Sequence, residues 1–165
     1  MPAGNTYEAI ATQTLGSNTQ FVTFSSISGT YTDLVLVFVG TSTHTDNGSR
    51  GYIQFNSDTG TNYSDTILQW DGTTATSLRD TSASSIAYGR IGNSGLSQAN
   101  ISIQNYSNST TNKTILSRQS SLAAQHSRAT VGLWRNTNAI TSITLSCDGS
   151  YTSGSTFSLY GIRAA

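Results

Sequence analysis

Asp58, Asp65, Asp71 and Asp80 crowd into one polar stretch of the 165-residue chain. A pair of carboxylates is the minimum equipment for cleaving a glycosidic bond, one protonating the leaving oxygen and the other acting as nucleophile or base. In NSDTG and WDGT, however, Asp stands where turns ordinarily use it, accepting nearby backbone N–H groups, so turn formation takes precedence over an endoglycosidase dyad. Other proton-transfer groups are scarce: one Glu (Glu8), one Lys (Lys113) and two His (His44 and His126). The histidines lie in THTDNG and AAQHSRA, polar settings that read as solvated turns rather than as a general base. Gly-x-Ser-x-Gly is absent, and GNSG from Gly92 is one residue short of it. The single cysteine, Cys147, excludes an intrachain disulfide and a Cys-based metal site, and is expected to face inward as a small apolar residue. THTDNGS offers only Asp46 and Asn47 as firm calcium ligands, and the glycines of GRIGNSG fit neither phosphate-binding fingerprint. The expectation is a protein that is not an enzyme and uses no metal and no cofactor.

Sugars are held by aromatic faces and neutral hydrogen-bonding groups, and these the chain has. Tyr63, Trp70, Tyr88, Trp134 and Tyr151 fall near loops or strand ends among many hydroxyls. Trp134 is better read as inter-sheet packing. Tyr63 and Trp70 are the candidate glycan contacts.

The elements that must position such residues are strands. Ser and Thr make up about a third of the chain, while charged residues are only 10% with Lys+Arg 8 against Asp+Glu 8. So balanced a chain offers no basic face for a run of phosphates, which argues against nucleic acid as partner. The N-terminus MPAGNTYEAIATQ lacks the basic and apolar regions of a signal peptide, and no apolar run approaches membrane-spanning length. Synthesis in a cytoplasm, without membrane insertion, is the expectation. Apolar residues instead gather into short alternating runs: 7–15, 20–25, 31–41, 50–56, 100–106, 113–118, 130–135, 140–147 and 156–162. The pattern predicts an all-β fold, a single antiparallel β-sandwich over 1–165 with eight to nine strands.

Asn47-Gly48 has the backbone tolerance of a two-residue hairpin turn, which predicts that 31–41 and 50–56 pair with each other. Residues 59–95 show few clean strands and read as a long functional loop. DLVLVFV is apolar on both faces, Leu34, Leu36 and Phe38 on one and Val35, Val37 and Val39 on the other. The second face needs a cover, either a loop or short helix of the same chain or another copy of the protein.

Three stretches carry a resemblance: TNYSDTILQWDGTTATS, NISIQNYSNSTTNKTILSR and LWRNTNAITSITLSCDGSYTSGSTFSLYGIRAA. They resemble the small β-sandwich virion structural proteins, tail-fibre-like or decoration proteins, of tailed bacteriophages of marine bacteria and cyanobacteria. The most specific part is Trp134-Arg135, Ala139 to Ile143 and Gly154 to Ile162. The resemblance implies a jelly-roll-like sandwich and a non-enzymatic role on the virion exterior, as a head decoration or a short tail or baseplate protein. It implies self-association as a symmetric multimer, expected here to be a homotrimer, and docking on other virion structural proteins; host surface glycan is a separate candidate partner, read from Tyr63 and Trp70. Val35, Val37, Val39, Tyr160 and Ile162 are the candidate subunit interface, and residues 1–6 a candidate docking arm.

Overall fold

In a computed structural model of the chain, residues 6–45, 48–122 and 126–163 are described. Strands account for nearly all regular structure in them: β1 (Tyr7–Thr14), β2 (Thr19–Phe24), β3 (Asp33–Gly40), β4 (Ser49–Phe55), β5 (Tyr63–Trp70) and β6 (Ala75–Ala83), then β7 (Ile86–Ile91), β8 (Ser97–Gln104), β9 (Lys113–Ser121), β10 (His126–Trp134), β11 (Ile143–Tyr151) and β12 (Thr156–Ile162). Period-2 alternation of apolar and hydroxyl side chains gives most of the strands a dry and a wet face. β9 shows it cleanly, with Lys113, Ile115, Ser117, Gln119 and Ser121 buried and the residues between them exposed.

An eight-stranded sheet runs β1-β12-β3-β8-β9-β10-β5-β6, and a four-stranded sheet β2-β11-β4-β7 packs on it. All pairings are antiparallel. The chain crosses between the sheets at most connections, the wrapping that makes a sandwich jelly-roll-like. Between them lie Leu34, Leu36, Ile53, Ile101, Ile103, Leu145 and Leu159, together with two aromatic groups. Phe38 contacts Tyr88, Tyr151 and Phe157 with ring centroids 5.0–6.2 Å apart. Trp134 stacks on Tyr63 at 6.2 Å and meets Phe55 at 5.5 Å.

The β-sandwich is as expected, but the described residues form twelve strands rather than eight to nine. The difference lies mainly in 59–95, which is no long loop: it holds β5, β6 and β7. β6 is exposed along nearly its whole length, so it needs no apolar alternation and leaves none in the sequence. β3 and β4 do not pair. They lie in different sheets, β3 between β12 and β8 and β4 between β11 and β7. Asn47 is outside the described residues, as are residues 1–5 of the expected arm, while the Thr6 carbonyl accepts the Arg163 N–H at 3.1 Å.

Candidate functional site

Because the large sheet has twice as many strands as the small one, β5 and β6 overhang the β7 edge. An open sheet edge exposes backbone groups that need partners. Here the large sheet supplies them from its inner face. Asp65 Oδ2 accepts the Ala87 N–H at 3.0 Å, and Ser117 Oγ donates to the Tyr88 carbonyl at 2.7 Å. Gln119 accepts the Arg90 N–H at 3.1 Å and donates to the Arg90 carbonyl at 2.6 Å. Gly89 makes room for that clasp, since a Cβ there would lie 2.6 Å from Gln119 Cγ.

The overhang turns the outer face of the small sheet into one wall of an open groove of about 740 Å³. β4 lines it with Arg50, Tyr52 and Gln54, which point away from the core as Gly51, Ile53 and Phe55 point in. The opposite wall is the concave face of β5 and β6, with Asp65, Ile67, Leu78 and Asp80. Asp65 and Asp80 are directly opposed in the β5–β6 ladder. Burial pushes the Asp65 carboxyl up, against the pull of the Ala87 N–H, and the Asp80 charge adds to the rise. The Tyr52 phenol is also raised, by burial and then by Asp148.

Of the other aspartates, Asp71 closes the β5–β6 turn. Its Oδ1 accepts the N–H groups of Thr73 and Thr74 at 3.0 and 2.8 Å, which holds its pKa down at about 2. Asp58 forms the turn after β4 and accepts the Trp134 indole N–H at 2.8 Å. Both are turn residues, as the sequence context predicts. Asp65 and Asp80 are strand residues that share the groove, a meeting the sequence spacing did not reveal. Among the described residues no three His, Cys, Asp or Glu side chains gather as metal ligands.

Tyr63 is not a surface contact. It is wholly buried against Trp134, and its hydroxyl is used by the Phe55 N–H at 3.0 Å and the Asp58 carbonyl at 3.1 Å. It falls inward because it shares the dry face of β5 with Asp65 and Ile67. Trp70, at an outward position of the same strand, is 40% exposed. It therefore stands on the face of β5 opposite to the groove. Tyr88, Trp134 and Tyr151 are core residues.

The expected interface residues do share the outer face of the large sheet. Val35, Val37 and Tyr160 line a hollow of about 390 Å³ with Tyr7, Asn100, Ser102 and Arg118, and Val39 and Ile162 continue the β3 and β12 rows. Val35 is already buried in the single chain beside Tyr160, its cross-strand neighbour, so part of the cover comes from the sheet itself. A more exposed apolar row lies further along: Leu116 directly opposite Val131, which is 58% exposed, and Leu68 opposite Ala129. These residues went unnoticed in the sequence, as did Arg50, Tyr52 and Gln54. RGYIQF alternates plainly, but alternation does not say that a second sheet will wall off the polar side.

No family model and no curated protein matches the chain. Solved structures similar to it include an exo-inulinase from Aspergillus awamori, with 8% identity and a TM-score of 0.44 over 94% of this chain and 29% of the inulinase. An alginate lyase matches with 10% identity and a TM-score of 0.40, over 93% of this chain and 79% of the lyase. A Ruminococcus gnavus sialidase CBM40 bound to α2,3 sialyllactose matches with 7% identity and a TM-score of 0.40, over 96% and 95% of the two chains. Scores this low carry no function across.

Proposed function

We propose that the chain is a saccharide-binding β-sandwich module whose ligand lies in the groove between β4 and the β5–β6 hairpin. The observation that carries this reading is the row Arg50, Tyr52, Gln54 facing Asp65 and Asp80 across an open cleft. Such a cleft suits a sugar: Tyr52 offers a ring face, while the guanidinium, amide and carboxylates offer donors and acceptors for hydroxyls. It is too polar for a lipid. Asp65 Oδ2 accepts the Ala87 N–H, which fixes this carboxyl as part of the cleft wall. Host surface polysaccharide is the ligand class. Calorimetry against an oligosaccharide panel tests the reading: Tyr52→Ala and Gln54→Ala are expected to weaken binding about tenfold each, within the ~1–3 kcal/mol range of a lost stacking or hydrogen-bond contact. Failure of the native protein to bind any member would refute it.

A second reading is a structural component on the exterior of a bacteriophage particle, held by self-association. The apolar row of Leu116, Val131 and Leu68 on the large sheet favours it, since contiguous exposed apolar surface is characteristic of interaction sites. The C-terminal resemblance gives it its setting. The two roles are compatible, with one face docked and the groove free. Absence of the chain from purified virions would remove this second reading.

A further inference from the structure

Arg50 lines the groove, and two further arginines stand close to it without lining the groove themselves. Arg50 and Arg90 are directly opposed in the β4–β7 ladder, where like charges repel. Arg128 on the inner face of β10 reaches the same place around the β7 edge, close enough for the charges of Arg90, Arg50 and Asp65 to act on it. Arg128 is only 2% exposed. Its Nη2 donates to Gln69 Oε1 at 2.6 Å, but its Nε and Nη1 are buried without an acceptor, and so is Arg90 Nε. Thr130 Oγ1, two residues on along the same face of β10, is also buried and unpartnered. Buried donors of a charged group left unanswered are costly, and native proteins rarely keep them without a water, an ion or a ligand to complete them.

Asp65, Asp80 and Asp148 lie near enough to match the three arginines in number, but none of them accepts from the unpartnered donors. Asp65 is engaged by Ala87, and Asp148 Oδ2 accepts the Arg50 N–H at 3.0 Å. Burial, followed by the charges of Arg90 and Arg50, pulls the Arg128 guanidinium down to about 10, against the opposing pull of Asp65. Carboxylate and sulfate are the groups that guanidinium donors match best in geometry and charge.

We propose that the groove selects acidic saccharides: an oxyanion on the sugar is met by Arg50, which lines the groove, with Arg90 and Arg128 behind it. This rests on the saccharide reading of the groove and adds to it the charge of the ligand. Tyr52 beside Arg50 then carries the ring that bears the oxyanion.

Calorimetry with tetragalacturonate, its methyl ester and a sulfated galactan tetramer tests the proposal. The acid is expected to bind at least tenfold more tightly than the ester. Arg50→Gln, at an exposed position, should abolish that preference by weakening acid binding far more than ester binding. Arg128→Met should reduce the preference and keep the fold, because an apolar side chain of similar length can replace an underpartnered buried charge without loss of stability. If Arg128→Met fails to fold, Arg50→Gln decides alone. Tighter binding of the sulfated tetramer than of tetragalacturonate would assign the oxyanion to sulfate, and the reverse order to carboxylate. Equal affinity for acid and ester, or an unchanged preference in Arg50→Gln, overturns the inference and leaves the saccharide reading standing. Binding of none of the three overturns the inference, and failure across the whole oligosaccharide panel overturns the saccharide reading as well.

Discussion

Removing the Asp58 side chain should unlock one end of the sandwich, by an amount that follows from its partners. Its Oδ2 accepts the indole N–H of fully buried Trp134 at 2.8 Å, its Oδ1 accepts the Gly60 N–H at 2.9 Å, and the Asn62 amide bonds both oxygens. Asp58→Ala strands the indole N–H inside the core, a penalty of about 1–3 kcal/mol. In a domain of this size each kcal/mol lowers Tm by roughly 2–4 °C, so a drop of about 2–12 °C is expected. Asp58→Asn keeps an oxygen for the indole and forfeits only the charge-assisted part, about 1 kcal/mol. The Trp134 hydrogen bond, followed by that of Asn62, holds the Asp58 carboxyl below the usual carboxylate range. A carboxylate depressed in the folded state stabilises fully above its unfolded pKa of about 3.9 and loses that contribution as pH falls through the folded value. The gap in Tm between wild type and Asp58→Asn should therefore be constant near neutrality and shrink below about pH 4. Thermal melts of the three proteins at a series of pH values measure this. An Asp58→Ala protein that melts within about 1 °C of wild type would refute the assignment of the indole bond, as would a gap that persists unchanged at low pH.

Gly161 lies under the Tyr31 ring, where a Cβ would come within 2.3 Å of the ring carbons, so Gly161→Ala should cost about 1–3 kcal/mol in urea titrations and a neutral result would show that the ring yields. Burial pushes the Cys147 thiol up to about 12, so it should resist thiol reagents at pH 8 until the chain is unfolded; reaction at the rate of an exposed thiol would contradict its place in the core. If the outer face of the large sheet joins copies of the protein, Val131→Asp should reduce the mass in solution to the 17.4 kDa of one chain, and Val37→Asp should have a smaller effect because Val37 is partly covered already. Light scattering reads both, and a native protein that already runs at 17.4 kDa would end that reading.

Period-2 alternation is a local property, so most strands could be read directly: 156–162 and 20–25 match β12 and β2 to within a residue, and the inward set Leu34, Leu36, Phe38 is the core face of β3. The poverty of proton-transfer groups was equally legible, as were the turn roles of Asp58 and Asp71, because an Asx turn is made within a few residues of chain. β6 was not legible, since an exposed edge strand places no demand on its side chains. Partnership between strands was not legible either. Asn47-Gly48 argued for a hairpin, yet packing of the apolar faces of β3 and β4 against opposite sides of one core puts them in different sheets.

The groove belongs wholly to tertiary structure. Arg50 and Tyr52 come from β4, Asp65 from β5 and Asp80 from β6, and only the unequal widths of the two sheets bring them together. Tyr63 and Trp70 make the same point in one strand. Both are aromatics at the ends of β5, and the sequence by itself marked both as surface candidates. An odd separation of seven residues sends them to opposite faces, and it is the position of the second sheet that makes one face core and the other solvent.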